Sequence, residues 1–267
     1  QPNELAGLLP SSDLNEEIAT VSRARLNTTS MQRLIAPDGT SKQFEVDGWV
    51  LDRARMDELL AKDAVHAGAV LSLSTRLESL ATGRSACTLT LSRKGNYESI
   101  EADVVIGADG PLSKVASQSG LVQHRSKSDL SFCLYEVLDD VDVDAHTIEM
   151  YFGREFAPGG YGWIIPHSPH RANVGTGARL VYGANVQRCF ERFKSESRAS
   201  PKLDGGKGLT RGGGLVPCGV PHLTCTGSVL IAGDAASHVV STSGGGIPLA
   251  LAAGKLAGEC AAQSCLL

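Results

Sequence analysis

Apolar and polar positions change period several times along the 267 residues, and the changes mark out elements. The first 30 residues are polar and weakly patterned, which predicts loop with one short helix over residues 14–21. Alternation over residues 41–50 predicts a strand. Asp52 then stands where a helix cap would, and Met56, Leu59, Leu60, Ala64 and Ala67 recur at helical spacing until Gly68. Residues 70–73 resume as a strand, so a helix packed on a sheet is expected here. Residues 87–92 alternate, Gly95 and Asn96 make a turn, and residues 97–101 return as a second strand. Val104, Val105 and Ile106 form a continuous apolar run, the mark of a strand buried on both faces. That run leads straight into Gly107, Ala108, Asp109 and Gly110. Residues 130–178 are strand-like, residues 185–197 read as a helix, and residues 204–214 are glycine-rich enough to predict a loop. Val229, Leu230 and Ile231 repeat the buried-strand pattern and end in Gly233 and Asp234, and a long alanine-rich helix follows Gly246.

Composition changes this picture little. A hydrophobic share of 42% and a charged share of 20% are ordinary for an α/β protein, while 30 glycines imply tight backbone approaches. A net charge of −4 with no basic run argues against nucleic acid as a partner. Residues 244–262 are the most apolar late stretch, but Lys255 and Glu259 interrupt them, and a spanning helix needs about 20 mostly apolar residues. Seven scattered cysteines without a CxxC fit the reduced thiols of a cytoplasmic protein. Cys218, His222 and Cys225 cluster, but with no fourth ligand and with Pro217, Gly219 and Pro221 among them they read as a rigid connector, not a metal site. The chain opens on Gln1 without a basic-then-apolar leader, so its start reads as a cut end.

The candidate chemistry lies where two buried strands each end in an acid beside glycine. Ligands of open α/β sheets sit beyond the carboxyl ends of strands, where an aspartate can accept hydrogen bonds from ribose or ribityl hydroxyls. Asp234 is followed by two small alanines and then by Gly244, Gly245 and Gly246, which open a helix. A helix N-terminus favours negative charge, such as a reduced flavin carries near N1 and the C2 carbonyl.

Residues 229–262 resemble the second flavin motif of the para-hydroxybenzoate-hydroxylase-like superfamily. Upstream, residues 102–113, with Asp109, Gly110, Pro111 and Ser113, are similar to its internal DG motif. Val50, Leu51, Asp52 and Arg53, with Met56, Asp57 and Leu60, are similar to its helix start, with Met in place of the usual Phe. Tyr161, Gly162, Trp163, Ile164, Ile165 and Pro166, then Ala172 to Gly175, are similar to the substrate-domain signature of the geranylgeranyl reductase family. The resemblance implies an α/β fold: an FAD-binding, Rossmann-like parallel sheet, incomplete at its N-terminus, with an inserted antiparallel substrate sheet. The FAD-binding domain would span residues 49–122 and 227–267, and the β-rich substrate domain residues 1–48 and 123–226. It implies FAD contacts from Arg53 (phosphate-ribose region), Asp109, Gly110, Gly233, Asp234, Gly244, Gly245, Gly246 and Ile247, and substrate contacts from Tyr161, Trp163 and Pro166. The implied activity is saturation of carbon–carbon double bonds in a prenyl lipid, with NAD(P)H or another donor as reductant and peripheral contact with a membrane.

Some positions depart from the pattern. Ser241 stands where the family usually has Pro, Ala116 and Ser117 where it has an Arg, and Ala6 and Gly7 where archaeal members carry a Cys. No strand-GxGxxG-helix unit occurs, so tight binding of FAD by these 267 residues is not expected. No residue is assigned as proton donor; His238 lies near the flavin motif, yet a single loop histidine is commonly structural. The alternatives are a flavin monooxygenase on the same fold and a catalytically incomplete fragment. The flavin reading expects Arg53, Asp109 and Asp234 to converge, and the prenyl reading expects Tyr161 and Trp163 on a sheet beside an apolar cavity.

Overall fold

The computed structural model describes residues 7–10, 19–83, 86–122, 125–219 and 223–265. In chain order the elements are β1 (Gly7–Pro10), α1 (Ala19–Ser22), β2 (Arg25–Ile35), β3 (Ser41–Leu51), α2 (Arg53–His66), β4 (Thr75–Thr82), β5 (Cys87–Arg93), β6 (Asn96–Ala102), β7 (Val105–Gly107) and α3 (Lys114–Gln118). They continue as β8 (Leu130–Asp139), β9 (Thr147–Tyr151), β10 (Gly162–Ser168), β11 (Arg171–Arg179), α4 (Val186–Glu196), α5 (Ser200–Leu203), β12 (Lys207–Pro217), β13 (Cys225–Thr226), β14 (Val229–Ile231) and α6 (Ile247–Cys265). They form two compact units, Gln1–Ala69 with Leu130–Leu215, and Val70–Asp129 with Val216–Leu267.

The first unit is an eight-stranded sheet in the order β1-β3-β2-β9-β10-β11-β8-β12. β10 and β11 sit inside it, and their runs of apolar and small residues are buried on both faces. Asn185 starts α4 as its cap, its side chain accepting from the Arg188 N–H at 3.0 Å. The helix lays Phe190 and Phe193, both fully buried, against Ile35, Leu138, Tyr151, Ile164 and Val174. Burying a phenylalanine side chain is worth about 1.5–3 kcal/mol, so this face anchors the unit. Strand alternation turns the other residues to the opposite face, where Val50, Tyr135, Ile148, Trp163 and Ile165 form a second cluster.

In the second unit, β4, β5 and β6 make an antiparallel meander, and β13-β14-β7 make a second three-stranded sheet. β7 and β14 run parallel with Val105 opposite Val229 and Gly107 opposite Ile231. Leu80, Leu89, Val105, Val115, Val229 and Ile231 share its core.

Several elements differ from the sequence-based expectation. Residues 70–73 are coil, with Val70 92% and Leu73 67% exposed; a strand needs a hydrogen-bonding neighbour, and no described residue pairs with them. Ile106 is 40% exposed, so β7 is buried on one face and not on both. Residues 25–30, within the stretch read as polar loop, belong to the long strand β2, which runs on to Ile35. Residues 204–214, read as loop, lie largely in β12. There the glycines serve close approach: a Cβ on Gly212 would fall 2.4 Å from the Tyr135 hydroxyl, and one on Gly213 2.6 Å from the Cys133 carbonyl. The short helix expected at 14–21 is described as α1 only from Ala19, residues 14–18 lying outside the described set. The compact units also group α2, with Arg53, with the eight-stranded sheet, in which β2 and β9 run parallel, and residues 125–129, 216–219 and 223–226 with the β7-β14 pair.

Candidate functional site

In the second unit the parallel register decides the geometry. Gly107 and Ile231 are opposite one another at the carboxyl ends of β7 and β14, so Asp109 and Asp234 leave the same end of the pair. That is the end where open α/β sheets receive ligands. The two acids then do different work. One Asp109 oxygen accepts from the Ser113 hydroxyl, and the other accepts from the N–H groups of Lys114 at 2.8 Å and Val115 at 3.1 Å. Ser113 in turn caps the Ala116 N–H at 2.8 Å. Asp109 therefore orders the loop into α3. Of the two positions where the family has an arginine, Ala116 is 1% exposed in the core and Ser117 is exposed, and nothing in the structure explains the absence of the arginine.

Asp234 is the second residue of a single turn of 3-10 helix, Gly233–Ala236, in which Ala235 and Ala236 are fully buried. Gly233 and Gly244 both have left-handed backbone, with φ of 63° and 71°. A Cβ on Gly246 would lie 3.7 Å from Asp234 Oδ1, so the glycine loop passes directly beside the carboxylate. Ile247 begins α6, whose first turn presents N–H groups without intrahelical partners. Gly110 also has positive φ, 83°. His238 is half-buried, with Nδ1 buried and unpartnered among the described residues, and burial pushes its imidazole below the ordinary 6.5.

Sequence reasoning missed Arg125. Its guanidinium donates to the carbonyls of Asp234 at 3.0 Å and Ala235 at 2.7 Å, and to the Ser237 hydroxyl. No local pattern marks such a residue, because its partners lie more than a hundred positions away.

The first unit holds a separate cavity of about 220 Å³, lined by Val50, Arg53, Ile165, His167, Arg171, Asn173 and Leu209 among others. Asp52 caps α2, accepting from the Arg55 N–H at 3.0 Å, and so fixes Arg53 at the first helical position. Arg53 reaches Asp57 at 3.4 Å, while its Nε is buried and has no partner among the described residues. Phe152, Tyr161 and Trp163 form a row, with ring centroids 6.1 and 6.0 Å apart. Trp163 Nε1 donates to Asn173 Oδ1 at 2.8 Å, which ties the row to the cavity wall. Pro166 alternates onto the opposite face with Ile164, and its carbonyl accepts from Asn27 Nδ2 at 2.9 Å. His167 and Arg171 are further residues that sequence reasoning passed over, although alternation from Trp163 gives the face of His167.

The family model of the geranylgeranyl reductase catalytic domain matches residues 129–216. Digeranylgeranylglycerophospholipid reductase of Methanothrix thermoacetophila is 38% identical over 246 residues, which cover 87% of this chain and 61% of that protein. The chain belongs to the geranylgeranyl reductase family. It spans about three-fifths of the length of that relative (61%). The solved structure of a geranylgeranyl bacteriochlorophyll reductase-like protein from Thermoplasma acidophilum superposes with a TM-score of 0.87 at 25% identity, covering 96% of this chain and 67% of that one. The flavin-dependent halogenase CmlS superposes at 0.70 with 18% identity, over 89% and 46% of the two chains, a likeness of fold alone.

This family member carries a titratable group on its cavity wall. Burial, and then the charge of Arg171, push the His167 imidazole below its ordinary 6.5, with Asp52 opposing. The unfolded chain takes up a proton near pH 6.5 while the folded one resists it. Stability from this group is thus fully present above pH 6.5 and lost as pH falls below it. Urea midpoints at pH 7.5 and 5.5 should differ less in His167→Gln than in the parent; an unchanged gap would show that His167 does not set it.

Proposed function

We propose that the protein acts as an FAD-dependent reductase that saturates carbon–carbon double bonds in the prenyl chains of a lipid. The observation that carries this reading is Asp234 at the end of a parallel strand pair, with Gly246 beside its carboxylate and α6 opening next to it, in a chain of this family. The fit to FAD is good on the chain's own terms. The Asp234 carboxylate would accept hydroxyl groups of the ribityl chain. Gly244, Gly245, Gly246 and Ile247 would offer backbone N–H groups and the positive end of a helix to the flavin's electron-rich edge. Gly233 would let the backbone come close, while Asp109 and Gly110 would hold the neighbouring loop.

Bound FAD supplies the hydride. The protein's part is to orient the alkene and to exclude water. The half-buried Tyr161 would offer a flat apolar wall to a prenyl chain, with Trp163 backing it from the core and Pro166 stiffening the strand that carries Trp163. NAD(P)H or another reductant would recharge the flavin, and the lipid would be met at a membrane surface. Among the described residues no helix is long and apolar enough to cross a membrane.

The test is anaerobic. Full-length protein carrying reduced flavin is mixed with a digeranylgeranylglycerol phospholipid. Reoxidation of the flavin should track the gain of two hydrogens per double bond, read by mass spectrometry. A flavin that stays reduced until oxygen is admitted, and then yields an oxygenated product, would replace the reductase with a monooxygenase.

A further inference from the structure

We infer that Arg125 is a positioning residue for the flavin site, acting through the turn that presents Asp234. The inference rests on the proposed role of Asp234. One guanidinium gathers three acceptors from four consecutive residues: the Asp234 carbonyl at 3.0 Å, the Ala235 carbonyl at 2.7 Å and the Ser237 hydroxyl. The turn it clamps is under strain. Ser237 has φ of 59°, a left-handed conformation that costs a side-chain-bearing residue energy, and it is 1% exposed. The Asp234 carbonyl already accepts from the Ser237 N–H at 3.2 Å, and the Gly233 carbonyl from the His238 N–H at 3.0 Å. The Ala235 carbonyl, at the end of the turn, has Arg125 as its partner. A cation bound to the last carbonyls of a helical turn is the arrangement its dipole favours.

The clamp fixes more than backbone. Burial pushes the Arg125 guanidinium down, and the negative charges of Asp234 and then Asp129 push it back up, so the cation sits within the field of the Asp234 carboxylate. Asp129 is held locally, accepting from the Ser126 N–H at 3.0 Å, one residue after Arg125. Ala235 and Ala236 are buried, Arg125 holds the carbonyls of the turn, and Asp234 Oδ1 lies 3.7 Å from where a Gly246 Cβ would stand. Lysine could neutralise the carboxylate but could not reach all three acceptors with the planar fork of an arginine.

The experiment is a double-mutant cycle on FAD affinity, read by quenching of flavin fluorescence on full-length protein freed of flavin. Asp234→Asn and Arg125→Met should each weaken FAD by about tenfold, the worth of one good hydrogen bond. Arg125→Lys should recover part of that loss. The double variant should bind no worse than the weaker single one, since both changes remove one function. Melting of the flavin-free proteins is followed alongside, because a merely structural arginine would lower the melting temperature and leave the two effects independent. Wild-type affinity in Arg125→Met, or a double variant weakened by the product of the single effects, overturns the inference while leaving the flavin site in place. Wild-type affinity in Asp234→Asn overturns the flavin role of Asp234 itself, and the role of Arg125 with it. If Arg125→Met does not fold, Arg125→Lys alone carries the cycle.

Discussion

Replacing Trp163 by Ala is expected to lower the stability of the protein by about 3–5 kcal/mol, the usual cost of deleting a large buried aromatic. The ring is 5% exposed and packs with Val50, Tyr135, Ile148 and Ile165. It lies against Gly175, where an added Cβ would fall 2.2 Å from the ring, so the indole occupies the space a side chain there would need. Truncation would leave a void and would strip the Asn173 carbonyl oxygen of the indole N–H it accepts at 2.8 Å. Trp163→Phe should keep most of the volume and lose the hydrogen bond, for a smaller loss of about 1–3 kcal/mol. Urea unfolding of the two variants measures this, with lipid preference measured beside it. Should Trp163→Ala keep the parent's midpoint and change only which lipid is reduced, the ring is a substrate wall and not part of the core.

Glu149→Ala should be nearly as damaging. Glu149 is 3% exposed on β9 and takes Lys202 at 2.6 and 2.7 Å, Arg33 at 2.8 Å and the Tyr151 hydroxyl at 2.7 Å. Its burial is tolerable because every lone pair is used. Burial, and then the charge of Glu149, hold the Tyr151 phenol above its ordinary 10.0, so it stays a donor at any working pH. Removing one partner of a buried ionic cluster costs about 3–5 kcal/mol. The low end is expected here, because Arg33 and Lys202 are 29% and 32% exposed and can rehydrate. Lys207→Ala, at a pair whose members are 77% and 57% exposed, should change the melting temperature little. Equal effects at the two sites would mean that the Glu149 cluster is better hydrated than its burial indicates.

Much of the site was legible before the structure because its strands are short and wholly apolar. Val229 to Ile231 stands out from its surroundings, and an acid beside glycine follows at once. Asp52 was readable as a cap, and its bond to the Arg55 N–H is the one a cap makes. β2 and β12 were not legible, for opposite reasons. β2 carries threonine, asparagine and arginine on a half-wet face, which erases the alternation that marks a strand. β12 is full of glycine, which local propensity assigns to loops, although here it makes room for Tyr135 and the Cys133 backbone. Arg125 and His167 lay beyond reach because their roles exist only across long sequence separations, where neither period nor spacing carries a signal. The exposed residues 70–73 show the converse: a β-rich apolar run does not become a strand without a neighbour to bond to.

The interleaving of the two units also sets the order in which the protein can fold as it leaves the ribosome. The parallel ladder of the first unit joins Met31 to Thr147, and that of the second joins Val105 to Val229. Neither ladder can close when its first strand emerges; each must wait for more than a hundred further residues to be made. Strands awaiting such distant partners are slow to pair and prone to stray contacts meanwhile, since the entropy of closing a long loop comes before the contacts that reward it. The meander β4-β5-β6 needs no such wait, as its register runs between close neighbours such as Leu89 and Ile100. Like the β2-β3 hairpin, it can form while both parallel ladders still wait. β14 is made more than a hundred residues after its partner β7, and the turn that carries Asp234 follows it, so the proposed cofactor site cannot form until that late strand has emerged.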